Sequence, residues 1–344
     1  MMSAREKRDI EINPLFVGLL EENGLDTFEG VMGCTGGETF KDLGFRSVSR
    51  LRIGNRVFYL KRHRGADRPW GKVEWDNIQA FVESGIPTVT AVVFGRRKEG
   101  GRYDSFLLTE GLEGASRLEI FAKENYIVPS FEERLAGKRA LIERLALLAR
   151  KMHDAGFFHR DFYLTHILAR PVGARVELYI FDLQRVIKGP LFKRRWQRKD
   201  LACLNFAAKP SYTTLADRMR FIKAYLGNER LSAGDKRLIR AVLAKTERIR
   251  AHDLKACQKK LFFMTKKRAE KNLLRRVLRR FFYLLNNLWP SGGKTAMSER
   301  RRFLVVSTTG LGDTLLSTPA IRALKERYPG SHVAVLVDRR RADI

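Results

Sequence analysis

Cysteine is scarce in this 344-residue chain. Cys34, Cys203 and Cys257 stand far apart with no Cys-x-x-Cys pair, which excludes a disulfide framework and a clustered thiolate metal site and makes a reducing, cytoplasmic compartment the default. Long apolar runs are missing too. The densest, such as Phe281 to Leu285, fall short of the ~18 residues needed to cross a bilayer. Met1 to Asp9 is charged, and the apolar stretch behind it is broken by Glu11, Asn13 and Pro14, so a signal-peptide core is absent. Acid is the third shortage: 38 Asp and Glu face 67 Lys and Arg, for a net charge of +29. That surplus fits nucleic acid, an anionic membrane surface or a phosphorylated substrate, and only its position along the chain discriminates among them. The 44% hydrophobic content is enough for a folded core, and the length fits about two domains.

The order of patterns predicts an α+β fold. Residues 38–62 alternate as two hairpin strands, with the turn Ile53-Gly-Asn55 before the run Arg56 to Lys61. Glu74 to Glu83 spaces Trp75, Ile78 and Phe81 or Val82 as a helix that Gly85-Ile-Pro87 stops. Val89 to Phe94 and Ser105 to Thr109 read as two more strands around a turn at Gly95 to Gly101. From about Phe131 the leucines repeat at helical intervals until Gly156, after which Ile167 to Ala169 and Val176 to Asp182 form a hairpin and Lys199 to about Ala251 is mostly helical. A strand-rich lobe with one helix, followed by a helical lobe, leaves room for a ligand cleft between them.

The strongest chemical signal is His159-Arg-Asp161, with His166 five residues after the aspartate and Asp182 beyond the hairpin. Phosphoryl transfer needs a carboxylate that aims the attacking hydroxyl and metal ligands just beyond it for the nucleotide phosphates. An exposed Asp is ionised at neutral pH, so Asp161 would aim the hydroxyl and take its proton late. Upstream, Lys61 closing a strand and Glu74 opening the next helix follow the order in which protein kinases place a phosphate-binding lysine and its glutamate. His153 and Asp154 are assigned core or helix-capping roles, and Phe157 and Phe158 are assigned to the core.

Across residues 38–227 the chain resembles the lipopolysaccharide core kinases, protein-kinase-like enzymes that phosphorylate heptose or Kdo sugars. The resemblance rests on seven strings in family order: Tyr59-Leu-Lys61-Arg, Glu74 with Gly85-Ile-Pro-Thr88, Met152-His-Asp-Ala-Gly156, His159-Arg-Asp-Phe-Tyr163 with His166, Phe181-Asp-Leu-Gln-Arg185, Lys199-Asp-Leu-Ala202 and Arg220-Phe-Ile-Lys-Ala-Tyr225. It implies a bilobal kinase-like fold, Asp161 as catalytic carboxylate, Asp182 as metal ligand, and Lys61 with Glu74 as a phosphate clamp for ATP and Mg²⁺, with Mn²⁺ as the alternative ion. By analogy with kinases, Glu110 to Leu112 would be the interlobe strand meeting adenine, and Asp200 the buried carboxylate bracing the catalytic loop. His166 replaces the asparagine of protein kinases, leaving metal or phosphate contact and loop bracing both open. The segment Asp42 to Arg50 has a single glycine where a nucleotide loop has three, with Arg46, Ser47 or Arg50 as helpers.

Between Lys255 and Arg280 stand eleven Lys or Arg and one acid, interleaved with apolar pairs, which predicts a basic amphipathic helix over 254–289. An anionic membrane surface is its expected partner through 255–289, packing as a linker helix is the rival reading, and no nucleic acid partner is expected. Residues 290–300 form a linker. From Phe303 the string Ser307-Thr-Thr-Gly-Leu-Gly-Asp313-Thr-Leu-Leu-Ser-Thr-Pro319 resembles the opening of a heptosyltransferase-type glycosyltransferase, with Asp313 as its remnant site. Residues 301–344 are expected to make one βαβ unit, a truncated and inactive stub.

The expected organisation is therefore an N-terminal extension (1–37), a small lobe (38–112), a large lobe (113–253), the basic helix and the stub. The expected activity is an ATP-dependent kinase acting on an inner-core sugar at the cytoplasmic membrane face. A small-molecule kinase of the same superfamily and a non-catalytic basic module are the alternatives.

Overall fold

The computed structural model describes residues 9–127, 132–173, 175–259, 302–306, 318–328 and 332–336. The chain forms two units, Met1–Phe263 and Met264–Ile344.

The first unit opens with a six-stranded antiparallel sheet in the order β1-β5-β6-β4-β3-β2. Its strands are β1 (Ile10–Ile12), β2 (Glu38–Asp42), β3 (Arg46–Ile53), β4 (Arg56–Ala66), β5 (Ala91–Glu99) and β6 (Arg102–Glu110). Two short helices, α1 (Val17–Glu22) and α2 (Phe28–Gly33), join β1 to β2, and α3 (Trp70–Glu83) joins β4 to β5.

Three sequence expectations are corrected here. Residues 10–34 are part of the lobe rather than an extension before it. β1 pairs with β5, and Phe16, Leu20, Phe28 and Val31 are buried against Leu51, Phe58, Leu60 and Phe106. Arg62 on β4 locks the segment down, its guanidinium donating to the carbonyls of Val31 and Cys34 at the end of α2. These elements span three to six residues, too short for a periodic pattern to declare itself. The span 38–62 holds three strands rather than two, because Asp42 and Gly44 close a turn between β2 and β3, with the Gly44 N–H bonded to Asp42 Oδ1 at 2.8 Å. Gly95 lies within β5 and not in the turn. A Cβ there would sit 2.5 Å from the Phe106 ring, so packing demands this glycine, while Gly100 and Gly101, both at positive φ, make the turn.

Helix α3 begins four residues before its expected start and buries Trp75, Ile78 and Phe81, leaving Val82 exposed. Gly85, at φ +63°, ends it. These buried side chains join the core of the large lobe, with Phe81 5.0 Å from Phe157 between ring centroids. Across the lobe boundary the Thr88 hydroxyl donates to the Ile180 carbonyl at 2.7 Å, and Ile180 N–H donates to the Pro87 carbonyl at 3.0 Å. The string Gly85 to Thr88 is thus a joint between lobes as well as a helix stop.

The large lobe follows as β7 (Ser116–Arg117), α4 (Leu118–Tyr126), α5 (Glu132–Asp154), β8 (Phe157–Phe158), the hairpin β9 (Ile167–Val172) and β10 (Arg175–Ile180), β11 (Ile187–Lys188), α6 (Lys193–Ala207), α7 (Leu215–Leu226) and a helix α8 over 233–259. α7 has a capping box, with Thr214 and Asp217 exchanging hydrogen bonds. Among the described residues no helix is long and apolar enough to cross a membrane.

In the second unit, β12 (Arg302–Val306) pairs in parallel with β13 (His332–Leu336), and α9 (Thr318–Arg327) lies between them in sequence, a βαβ order. Asp313 lies outside the described residues, as does the basic stretch beyond residue 259; residues 254–259 are helical and exposed.

Candidate active site

Lys61 lies inside β4, which runs on to Ala66, rather than closing it; successive side chains of a strand alternate faces, and β4 uses both. Phe58, Leu60 and Arg62 point to the inner core and Val31, while Tyr59, Lys61 and His63 lie on the opposite face, the side of the cleft. Lys61 Nζ donates to both Glu74 oxygens, at 2.7 and 3.0 Å, and to Asp182 Oδ1 at 2.6 Å. The sequence places these three residues up to 121 positions apart; the fold makes them one ion triad. Glu74 reaches it from the second turn of α3. The same helix offers Asn77, whose side-chain amide donates to the Leu183 carbonyl at 2.8 Å and so ties α3 to the segment that carries Asp182.

Asp182 sits at φ +61° and caps a 3-10 turn, Leu183–Arg185. A non-glycine residue in this left-handed region is strained, and β10 behind it together with Asn77 before it holds it there. Arg160 is the second such residue, at φ +70°. Its strain is fixed by Asp200, fully buried on α6, whose carboxylate accepts the N–H groups of His159 (2.8 Å) and Arg160 (2.7 Å). His153 stands 3.4 Å from Asp200 and 2.8 Å from the Tyr225 hydroxyl, a buried bracing role. Asp154 differs from expectation: it is exposed, 3.4 Å from Arg150, because the last turn of α5 turns it to solvent.

The loop thus held presents Asp161. His166 Nδ1 is 2.7 Å from the Asp161 carbonyl and His166 Nε2 is 3.7 Å from Asp182 Oδ2, so one imidazole spans the two acidic residues. Two cations face the Asp161 carboxylate: Arg185, whose Nη1 is 2.6 Å from Oδ2, and Lys199, whose Nζ approaches Oδ1 at 3.6 Å. The strings that contain Arg185 and Lys199 give neither residue a role by themselves; only their juxtaposition with Asp161 supplies one. Arg46 enters from β3, directly across from His63 in register, with Nη2 4.0 Å from Asp182. Arg46 Nε and His63 Nδ1 are buried and have no hydrogen-bond partner among the described residues. Glu110 ends β6 with its side chain bound to Arg56 at 2.7 Å, and Leu112 packs on the large-lobe core, so a nucleotide would have only their backbone to meet.

Burial opposes charge on Lys61, but the carboxylates of Glu74 and Asp182 overcome it and hold its ammonium above the ordinary value. Burial alone would raise Asp182; Lys61, His166 and Arg46 outweigh it and hold the carboxyl far below the usual range. Glu74 is pushed up by burial against the pull of Lys61. His63 is brought down to about 4, by burial first and then by Arg46 and Lys61, and is neutral at pH 7.

Among the described residues no group of three or more His, Cys, Asp or Glu assembles as a metal cage. A single ionised Asp182 with His166 beside it still fits a hard divalent ion, since Mg²⁺ is held by one or two carboxylates plus substrate phosphates and water. The buried, unpaired Nε of Arg46 supplies a donor suited to phosphate oxygens on the same side.

Residues 32–225 match the model of the lipopolysaccharide kinase (Kdo/WaaP) family. The chain is similar to the lipopolysaccharide core heptose(I) kinase WaaP of Pseudomonas aeruginosa, 34% identical over 224 residues that cover 59% of this chain and 81% of that protein. It is also similar to the WaaP of Escherichia coli K12, 30% identical over 253 residues, 66% of this chain and 92% of that one. A solved structure of WaaP in complex with acyl carrier protein superposes with a TM-score of 0.56 at 33% identity, covering 70% of this chain and 96% of that one. The chain therefore belongs to the lipopolysaccharide kinase (Kdo/WaaP) family and is a phosphotransferase acting on a sugar hydroxyl in lipopolysaccharide core biosynthesis.

Proposed function

We propose that the acceptor is a heptose hydroxyl of the inner core, that the donor is ATP, and that Asp161, Asp182, Lys61 and Glu74 divide the work. The acceptor hydroxyl lies against Asp161, which orients its lone pair toward the γ-phosphorus and takes its proton as the new O–P bond forms and the bond to the β,γ-bridging oxygen breaks. Lys61, held straight by Glu74, and Arg46 grip the phosphates; the backbone of Glu110 to Leu112 meets adenine. Asp182, with His166 at its side, would hold a divalent ion, Mg²⁺ or Mn²⁺, which supplies charge neutralisation at the β- and γ-oxygens. The observation that carries this reading is the triad of Lys61 with Glu74 and Asp182, joined to Asp161 through His166. The heptose assignment is supported by the heptose(I) kinases among its relatives. On this reading the enzyme would work at the inner face of the cell membrane, where a lipid-anchored acceptor resides, with 255–289 as one contact. Mass spectrometry of core oligosaccharide from cells with and without the gene tests it: loss of one phosphate on heptose is the expected result, and an unchanged heptose refutes it.

A second partner follows from one feature of the large lobe. A largely apolar cavity of about 210 Å³, walled by Leu118, Tyr126, Leu141, Leu204, Tyr212 and Val242, has the character of an aliphatic-chain site, and a structural neighbour was solved with acyl carrier protein. Association of this chain with an acyl carrier protein is accordingly proposed, and co-elution of the two purified proteins tests it. For the second unit the glycosyltransferase-like reading of 303–324 stands as a proposal, and no step is assigned to Asp313.

A further inference from the structure

Two large apolar side chains project into solvent beside the reaction centre. Leu191 is 96% and Phe192 69% exposed. They follow Gly189-Pro190 and lead into α6, whose first residues Lys193, Arg194 and Arg195 are exposed, as is Arg198 one turn on. From 191 to 199 the chain carries five Lys or Arg and no acid. Arg237 of α8 borders the same hollow as Arg194 and Arg198. Asp235, also at its edge, is engaged as the cap of α8, accepting the Ser232 N–H at 2.9 Å and hydroxyl at 2.8 Å.

This patch is fastened to the catalytic loop. β11 pairs with β8, and Gly189 N–H donates to the Gly156 carbonyl at 2.9 Å. The Trp196 ring lies under both Arg160 and Arg195, at 4.9 and 5.1 Å, and Lys199 reaches Asp161. Within the first unit, then, these contacts tie the exposed pair to the loop that carries the proposed catalytic carboxylate.

We propose that residues 191–198 form a membrane-docking surface. Leu191 and Phe192 enter the boundary between headgroups and acyl chains of an anionic bilayer, and Lys193, Arg194, Arg195 and Arg198 face its phosphates. Charge complementarity selects the occupant: apolar side chains with free space around them, ringed by cations, match an anionic lipid interface, whereas nucleic acid gives aliphatic side chains nothing to enter. The surface would bring Asp161 to the height of a sugar attached to a lipid anchor. This rests on the reading of the acceptor as lipid-anchored, but vesicle binding tests it without catalysis.

The full chain is sedimented with vesicles of phosphatidylglycerol and phosphatidylcholine in equal parts, and with phosphatidylcholine alone. Binding only to the anionic vesicles, weakening as salt rises, is expected. The double variant Leu191→Ser/Phe192→Ser should lower partitioning by about tenfold or more. The triple variant Lys193→Gln/Arg194→Gln/Arg195→Gln should flatten the salt dependence. Both should keep wild-type turnover on soluble, deacylated core oligosaccharide and lose it on acceptor embedded in vesicles, with unchanged melting curves. Vesicle binding that changes less than about twofold in both variants, leaving 255–289 to carry it, overturns the proposal. So does loss of binding to purified acyl carrier protein with vesicle binding intact, which would assign the patch to a protein. A wild-type enzyme silent on the soluble acceptor would strike the kinase reading instead and leave the vesicle result standing.

Discussion

The cleft brings together two carboxylates in unlike electrical surroundings. Asp182 shares a largely buried triad in which Lys61 has 14% side-chain exposure and Glu74 only 2%; Asp161 faces Arg185, 52% exposed, and Lys199. In the first cluster two acids hold one lysine, and low dielectric makes each member costly to remove. In the second, two cations face one acid in partial contact with water, where pairing contributes little to stability and partners exchange readily. Under the proposed roles the difference separates the two ends: the inner triad would act as a preformed clamp, while the outer cations would leave Asp161 for the charge of an incoming triphosphate.

Activity offers the largest test of that contrast. Under the proposed roles, Asp161→Asn and Asp182→Asn each lower phosphate transfer to core oligosaccharide by about 10³-fold or more with the fold intact, read from initial rates and circular dichroism. Stability should separate the two ends. Lys61→Met strands Glu74 in the interior and should cost about 3–5 kcal/mol in urea unfolding. If it proves as mild as a surface substitution, the clamp is not preformed.

His63 reports on the inner cluster through pH. Its folded value of about 4 lies below the ordinary 6.5, so between these the unfolded chain binds a proton that the folded protein does not. Stability therefore rises as pH goes from 4 to 6.5, by about 3 kcal/mol, and is complete above. Asp182, depressed far below the carboxylate range, acts in the same sense at lower pH. His63→Leu should flatten the slope between pH 4 and 6.5, and a slope equal to the wild type's would show that the imidazole is already protonated.

Gly85→Ala places a Cβ at φ +63° and should cost about 1–2 kcal/mol, loosening the joint at Pro87 and Thr88. Smallest is Arg185→Gln, which should change the unfolding free energy by less than about 0.5 kcal/mol while lowering kcat about tenfold. An equal loss of stability and turnover would make Arg185 a structural strut and erase the contrast.

The parts of the site that were legible in the sequence are those built from neighbours. His159, Arg160 and Asp161 are contiguous, His166 follows within the same loop, and Lys61 and Glu74 belong to adjacent elements whose order restricts how they meet. Asp200 was legible by analogy, and its two hydrogen bonds to the loop backbone are its physical content. Arg185 and Lys199 were not legible as partners of Asp161. Each is an ordinary basic residue in a chain with 67 of them, and a pairing across 24 or 38 positions leaves no periodic trace. The N-terminal segment escaped for another reason: β1 has three residues, and its assignment depends on an edge of β5 that sequence periodicity does not show.

By itself the sequence determined much of the succession of elements after residue 46, the contiguous string His159-Arg160-Asp161 and the basic balance, because local propensity, spacing and composition act over a few residues at a time. Tertiary structure alone decided that residues 10–34 complete the small lobe, that Lys61 joins Glu74 to Asp182, and that Arg185 and Lys199 flank Asp161. Those facts depend on Coulomb and packing energies, which fall with distance in space and take no account of distance along the chain.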